Sequence, residues 1–160
     1  MMTVETRNTI TNELYKFLGI PVIPDDDDGE IPDYPYVVYS TTTDNNRKGH
    51  DSITFEDTDE GFMKTYANQV GTSYSFNAHS DSRDEAIETS YKIAEFFQRV
   101  GRDLLNQLGV AVTEVSPIQN RSMMLVDHYV RRQGLDVRFN YIDASTYPID
   151  SIENTTITGG

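Results

Sequence analysis

SRDEAIETSYKIAEFFQRV, residues 82–100, is the stretch on which the fold turns. At about 100° per residue, Ala86, Ile87, Ser90, Tyr91, Ile93, Ala94, Phe97 and Val100 fall on one half of a helix. Asp84, Glu85, Glu88, Lys92, Glu95 and Arg99 fall on the other. Ser82 with Glu85 three residues on predicts a capping box that satisfies two orphan N–H groups. Glu88–Lys92 and Glu95–Arg99 are i,i+4 pairs in the better orientation, acid first. Phe96 breaks the pattern by falling in the middle of the charged face. A helix with one dry face needs a sheet or another helix over it, and strand-like sequence lies on both sides.

Upstream, residues 3–18 predict a first helix, with Ile10, Leu14, Phe17 and Leu18 on one face, Gly19 as its stop and Pro21 beyond. Residues 24–35 carry four consecutive aspartates, Asp25–Asp28, then Gly29, among three prolines, and predict an acidic loop. The aspartates do not fit an EF-hand, because with Gly29 at the sixth position Pro24 and Pro35 occupy the first and twelfth. Tyr36–Thr42 predicts a strand. Residues 44–62 are polar and poorly periodic and read as a long loop, with at most a short strand at Ile53–Phe55. Met63–His79 is strand-like, with Tyr74, Phe76 and Ala78 alternating with polar residues.

Downstream of the helix, Arg102–Leu108 predicts a short helix and Val110–Val115 a strand. Met123, Met124, Leu125 and Val126 form a short apolar cluster between strands, which reads either as one helical turn or as a hairpin extension. Four such residues cannot all reach the subunit's own core through one turn, so they are expected to project from the sheet onto another chain. Leu135, Val137, Phe139 and Tyr141 alternate with Asp136, Arg138 and Asn140 as the clearest strand. The link between 110–115 and 135–141 is too short for a helical crossover, so that pair should be antiparallel. The predicted fold is α+β: an antiparallel, possibly mixed, sheet with the N-terminal and central helices on one face, in a single domain over residues 1–142. Residues 143–160 read as an extended C-terminal tail in which Ile149, Ile152 and Ile157 need a partner strand.

Thirteen basic against 26 acidic residues give a formal charge of −13, which argues against gripping nucleic acid through counterion release. The chain has no cysteine, hence no disulfide framework or thiolate chemistry. No apolar run is long enough to span a membrane, and the N-terminus does not read as a signal peptide. There is no phosphate loop, no dinucleotide fingerprint, no zinc-protease helix and no nucleophile elbow. His50, His79 and His128 lie on a loop, a strand end and a loop. No catalytic, cofactor or metal site is predicted. The residues expected at interfaces are Phe96, a phenyl ring that a monomer would leave in water, together with Met123–Val126, Arg131 and Arg132, and the three tail isoleucines.

Four phrases, in order and at consistent spacing, carry a resemblance: Tyr34-Pro35-Tyr36-Val37-Val38-Tyr39; Ser75-Phe76-Asn77-Ala78 leading to Asp84-Glu85-Ala86; Gly109-Val110 followed by Val115-Ser116-Pro117-Ile118-Gln119-Asn120; and the run from Tyr129 to Phe139. Over about residues 10–142 the chain resembles the phage neck and tail-terminator (tail-completion) proteins. Val130 stands where the last phrase is expected to have an acid before its two arginines. The resemblance implies a structural virion protein rather than an enzyme: a ring, typically a hexamer, at the top of the tail tube. Such a ring stops tube polymerisation and meets the head-side connector or stopper, with DNA passing unread through its lumen. Its partners would be itself, the tail tube protein and the connector, with no cofactor and no membrane, and it would sit in the neck of the virion. A head-closure ring or a tube subunit of the same assembly stays open as an alternative, as does a small soluble enzyme or ligand-binding domain.

Overall fold

The computed structural model describes residues 2–149. Helix α1 (Val4–Leu18) starts where Thr3 Oγ1 accepts the Thr6 N–H at 3.0 Å. It ends at Gly19, whose φ of 72° admits the left-handed cap and whose N–H reaches the Tyr15 carbonyl at 2.8 Å. The strands are β1 (Val22–Pro24), β2 (Tyr36–Thr58), β3 (Gly61–Ser80), β4 (Val110–Val115), β5 (Gln119–Asn120), β6 (Met123–Met124) and β7 (Tyr129–Ile149). The sheet order is β1-β2-β3-β7-β4, with β5 and β6 also paired to β7. Among the described residues only β1 against β2 is parallel. The predicted antiparallel pairing of 110–115 with the last strand is present, Val110 opposite Tyr141 and Val115 opposite Val137. The chain is α+β, with its helices packed on the sheet.

Helix α2 (Arg83–Glu95) runs into a π-helical turn (Phe96–Val100) and, after Gly101, into α3 (Arg102–Gln107). The predicted capping box is present with one hydroxyl inserted. Ser82 Oγ accepts the Glu85 N–H at 3.3 Å, but the Ser82 N–H goes to Ser80 Oγ, whose hydroxyl donates to the Glu85 carboxylate at 2.6 Å. The buried stripe is Ala86, Thr89, Ser90, Ile93, Ala94, Phe96 and Phe97, while Tyr91 and Val100 are exposed.

This corrects the expectation for Phe96, which is 3% exposed inside its own subunit. Two layers cover the helix. The sheet receives Phe97, whose ring lies 4.9 Å from Phe76 and 5.6 Å from Phe139, and α1 receives Phe96, 5.7 Å from Phe17. Neighbours about 100° apart on a helix can therefore both be dry.

Residues 44–62 are not a loop. They form the outer half of β2 and its turn into β3, paired from Asn46 opposite Gly71 to Thr58 opposite Gly61. The segment reads as loop because its polar, irregular sequence hides bulges. Register shifts fall between Thr41 and Thr43, Thr43 and Asn46, and Lys48 and Ser52. Asn68 closes the last bulge: it accepts the Lys48 N–H and donates to the Gly49 carbonyl and to Asp51, each at 3.2 Å. Residues 143–149, expected in a free tail, continue β7 and pair with Phe62–Asn68 of the same chain, whose strand edge supplies the backbone partners. Ile152 and Ile157 lie outside the described residues.

Phe96→Ala is expected to destabilise the isolated subunit by about 3–5 kcal/mol, the range for emptying a buried phenyl site, measured by urea unfolding. A methyl group at Gly101 would lie 2.7 Å from Phe96 Cζ. Gly101→Ala should therefore cost roughly 1–3 kcal/mol, although alanine is the better helix former by about 1 kcal/mol. Unchanged stability in either variant would mean that the ring is not locked between the two layers.

Candidate functional site

The last rung between β3 and β7 pairs Ser80 with Arg131. Beyond it β6 and the start of β7 continue alone as a hairpin, with Met123 opposite Val130 and Met124 opposite Tyr129. The Leu125 N–H closes the turn on the His128 carbonyl at 2.7 Å. Among the described residues no strand flanks the hairpin on the β3 side, and none of its apolar side chains joins the core. Met123, Leu125 and Tyr129 are exposed, Met124 is 71% exposed and Val126 stands fully in solvent. The expectation that this cluster projects from the sheet agrees with that geometry. At the tip, Asp127 bonds His128 Nδ1 at 2.6 Å, and this bond holds its carboxyl below the usual carboxylate range.

Arginines gather at the root of the hairpin. The Arg131 guanidinium lies 5.3 Å over the Tyr129 ring, beside an open depression that it lines with Arg83, Asn120 and Ser122. Arg132 Nε donates to the Arg121 carbonyl at 2.6 Å, and its N–H donates to Ser122 Oγ at 3.0 Å.

Sequence reasoning passed over Arg121, which lies flat on the sheet face away from the helices. Its guanidinium donates to Ser75 Oγ at 2.6 Å, Asn77 Oδ1 at 3.0 Å, Gln119 Oε1 at 3.1 Å and Asp136 Oδ1 at 3.2 Å. Gly134 makes room for it, since a methyl group there would overlap Asn77 Oδ1 and approach Arg121 Nη1 to 2.7 Å. Arg121 thereby ties the lead-in to the hairpin onto β3 and β7. The signal was faint: one arginine in an otherwise uncharged stretch beside a glycine in the facing strand.

On the same face, Tyr36, His79 and Arg132 share one cross-strand row. His79 stacks on Tyr36 at 5.0 Å and Tyr36 on Tyr34 at 5.5 Å, the planes 8° apart in both pairs. Burial, and then the Arg132 charge, lower the His79 pKa.

The expected interface residues thus separate. Met123–Val126, Arg131 and Arg132 meet at one end of the sheet. Ile149 lies at the other end, opposite Phe62, and Phe96 is in the core. Among the described residues no group of His, Cys, Asp or Glu is arranged to hold a metal ion, and no helix is long and apolar enough to cross a membrane.

The model of a family described as phage neck terminator protein matches residues 8–160. The chain belongs to that family, and with it to the structural proteins of the phage tail and neck. No curated protein matches it.

Two outcomes are expected of this end of the sheet. Arg121→Ala strips partners from Ser75, Asn77 and Asp136 and should cost about 1–3 kcal/mol; faster amide exchange at 119–124 would locate the loss at the hairpin root. Because the folded pKa of His79 is depressed, its contribution to stability is present above its unfolded value near 6.5 and is lost as pH falls through the folded value. The stability gained between pH 5 and pH 7 should therefore be smaller in His79→Gln than in the native chain. Equal gains would show that His79 titrates freely.

Proposed function

We propose, from membership in the neck terminator family, that copies of this chain form a closed ring, a hexamer by the family resemblance, at the top of the tail tube. The ring ends tube polymerisation and turns its other side to the head connector, and DNA passes through its lumen. The protein acts as a structural part of the virion neck and not as an enzyme.

The observation that carries this reading is the Met123–Val126 hairpin. A soluble subunit keeps this much aliphatic side chain in water only at a cost that burial by a partner removes. Methionine's flexible thioether adapts to irregular partner surfaces, which suits an interface formed only on assembly. Arg131 and Arg132 at the hairpin root supply polar contacts at the rim of such an interface. The formal charge of −13 suits a lumen through which DNA slides without being held.

Native mass spectrometry and negative-stain imaging, with and without the tube protein, test the reading. The native chain should give closed rings. Met124→Asp with Val126→Asp should weaken them at least tenfold and leave the subunit's unfolding within about 0.5 kcal/mol of native, because both side chains are exposed in the subunit. A native chain that stays monomeric with the tube protein present would overturn the proposal. Rings that bind the connector but leave tube growth unchecked would move the protein to the head-closure position.

A further inference from the structure

The helices cover only half of the sheet. Beyond Val70 on β3 and Tyr141 on β7 the three central strands continue as an arm: the outer half of β2, the first half of β3 and the last residues of β7. Its cross-strand rows are Ile53–Tyr66–Ser145, Phe55–Lys64–Tyr147 and Asp57–Phe62–Ile149. Residues paired across strands share a face, so one side of the arm carries Ile53, Phe55, Phe62, Tyr66, Tyr147 and Ile149. Phe55 packs on Phe62 at 6.0 Å and Tyr66 on Tyr147 at 6.1 Å. Phe55 is nonetheless 52% and Tyr147 54% exposed. The other side carries no aromatic ring in these rows, with Thr54, Thr65 and Thr146 in one and Glu56, Met63 and Pro148 in the next. An aromatic face on an uncapped arm is an unfinished layer.

We propose that the aromatic face of the arm is covered by the β6–β7 hairpin of a second copy of this chain, in head-to-tail contact. This rests on the ring reading and specifies its subunit contact. Three features of the molecule point to that occupant. The two uncovered apolar surfaces lie at opposite ends of the same strands, roughly 60 Å apart for a strand of this length, so one copy cannot bring them together. Their charges complement each other. The arm tip holds Glu56, Asp57, Asp59 and Glu60 with no base among them, and the hairpin root holds Arg83, Arg131 and Arg132 against one acid, Asp84. Lys64, in the middle of the aromatic face and 4.8 Å over the Tyr66 ring, has a counterpart in Asp127 at the hairpin tip. Finally, a contact between unlike ends is heterologous: each copy uses both surfaces once, and a rotation that closes gives a ring with neither surface left over.

The absence of cysteine in the native chain makes disulfide trapping selective. Phe55→Cys and Met124→Cys are made separately and together, then oxidised mildly. Mixing the two single variants should give a covalent dimer, and the double variant a ladder ending at the full ring, while each single variant alone stays uncrosslinked. A Phe55→Cys dimer formed alone would mean arm-to-arm, two-fold pairing and would overturn the proposal. Trapping of Phe55→Cys only by a cysteine-bearing tube protein would overturn it in favour of the tube as occupant. Rings of native mass without a ladder in the double variant would overturn this contact and leave the ring reading standing. Absence of rings in every sample, the native chain included, would overturn both.

Discussion

Everything in this molecule depends on the unbroken register between β3 and β7. From Phe62 opposite Ile149 to Ser80 opposite Arg131 the pairing has no bulge. Side chains alternate faces with a period of two, so one inserted residue would exchange the faces beyond it. None is inserted. The face that carries Val70, Tyr74, Phe76 and Ala78 under the helices is therefore the face that carries Phe62, Lys64 and Tyr66 on the arm. Core and arm are one surface, of which the subunit's own helices cover half.

The neighbour strand meets the opposite demand. β2 has to follow β3 along its whole length, yet it carries extra residues, and it absorbs them in three register shifts. Gly49, at φ 72°, and Asn45, at φ 52°, take the left-handed conformations that such irregularities need. Asn68 is 5% exposed and answers the displaced backbone groups of Lys48 and Gly49. Thr72 Oγ1 does the same for the Thr43 carbonyl at 2.8 Å. Buried polar side chains on a regular strand thus stabilise the irregular one, which keeps an arm without a helix over it hydrogen-bonded.

What was legible in the sequence follows from this division. Segments that bury one face onto the subunit's own core carry a clean period: both long helices, Val110–Val115 and Leu135–Tyr141 are where the pattern puts them. Met63–His79 reads as a strand, but the rest of the arm, in β2 and at the end of β7, was missed because its apolar residues face a layer that its own subunit does not supply. Ile53, Phe55, Phe62, Tyr66 and Tyr147 alternate correctly, but Asp57 and Lys64 share their face and the bulges reset the count in β2. Phe96 was misread for the converse reason. A single helix considered alone has one dry side, whereas α2 has two covering layers, and the second comes from α1, some 80 residues earlier in the chain. The apolar cluster of the hairpin was legible because four adjacent apolar residues on a short turn are hard to hide, while the choice between a helical turn and a hairpin was not. Arg121 was not, because its role comes from a convergence of three strands that no local pattern records.

A subunit that joins the ring proposed above faces a physical conflict before it gets there. It must carry apolar surface enough to bind, and it must not bind its copies at random edges. The distribution of charge on this chain addresses that conflict. The acids at 56–60 stand at the end of β2, whose outer edge past Tyr39 has no paired strand among the described residues and would otherwise invite sheet-to-sheet growth. The aromatic rings behind them lie partly under Lys64, which lowers their exposure without filling the layer. At the other end the hairpin carries its apolar residues on a turn too short to template a strand. Each sticky surface is thus bounded by groups that tolerate one partner geometry and penalise others. A net charge of −13 adds a general repulsion between copies, which the proposed pairing of the acidic tip with the arginine-bearing root would offset locally.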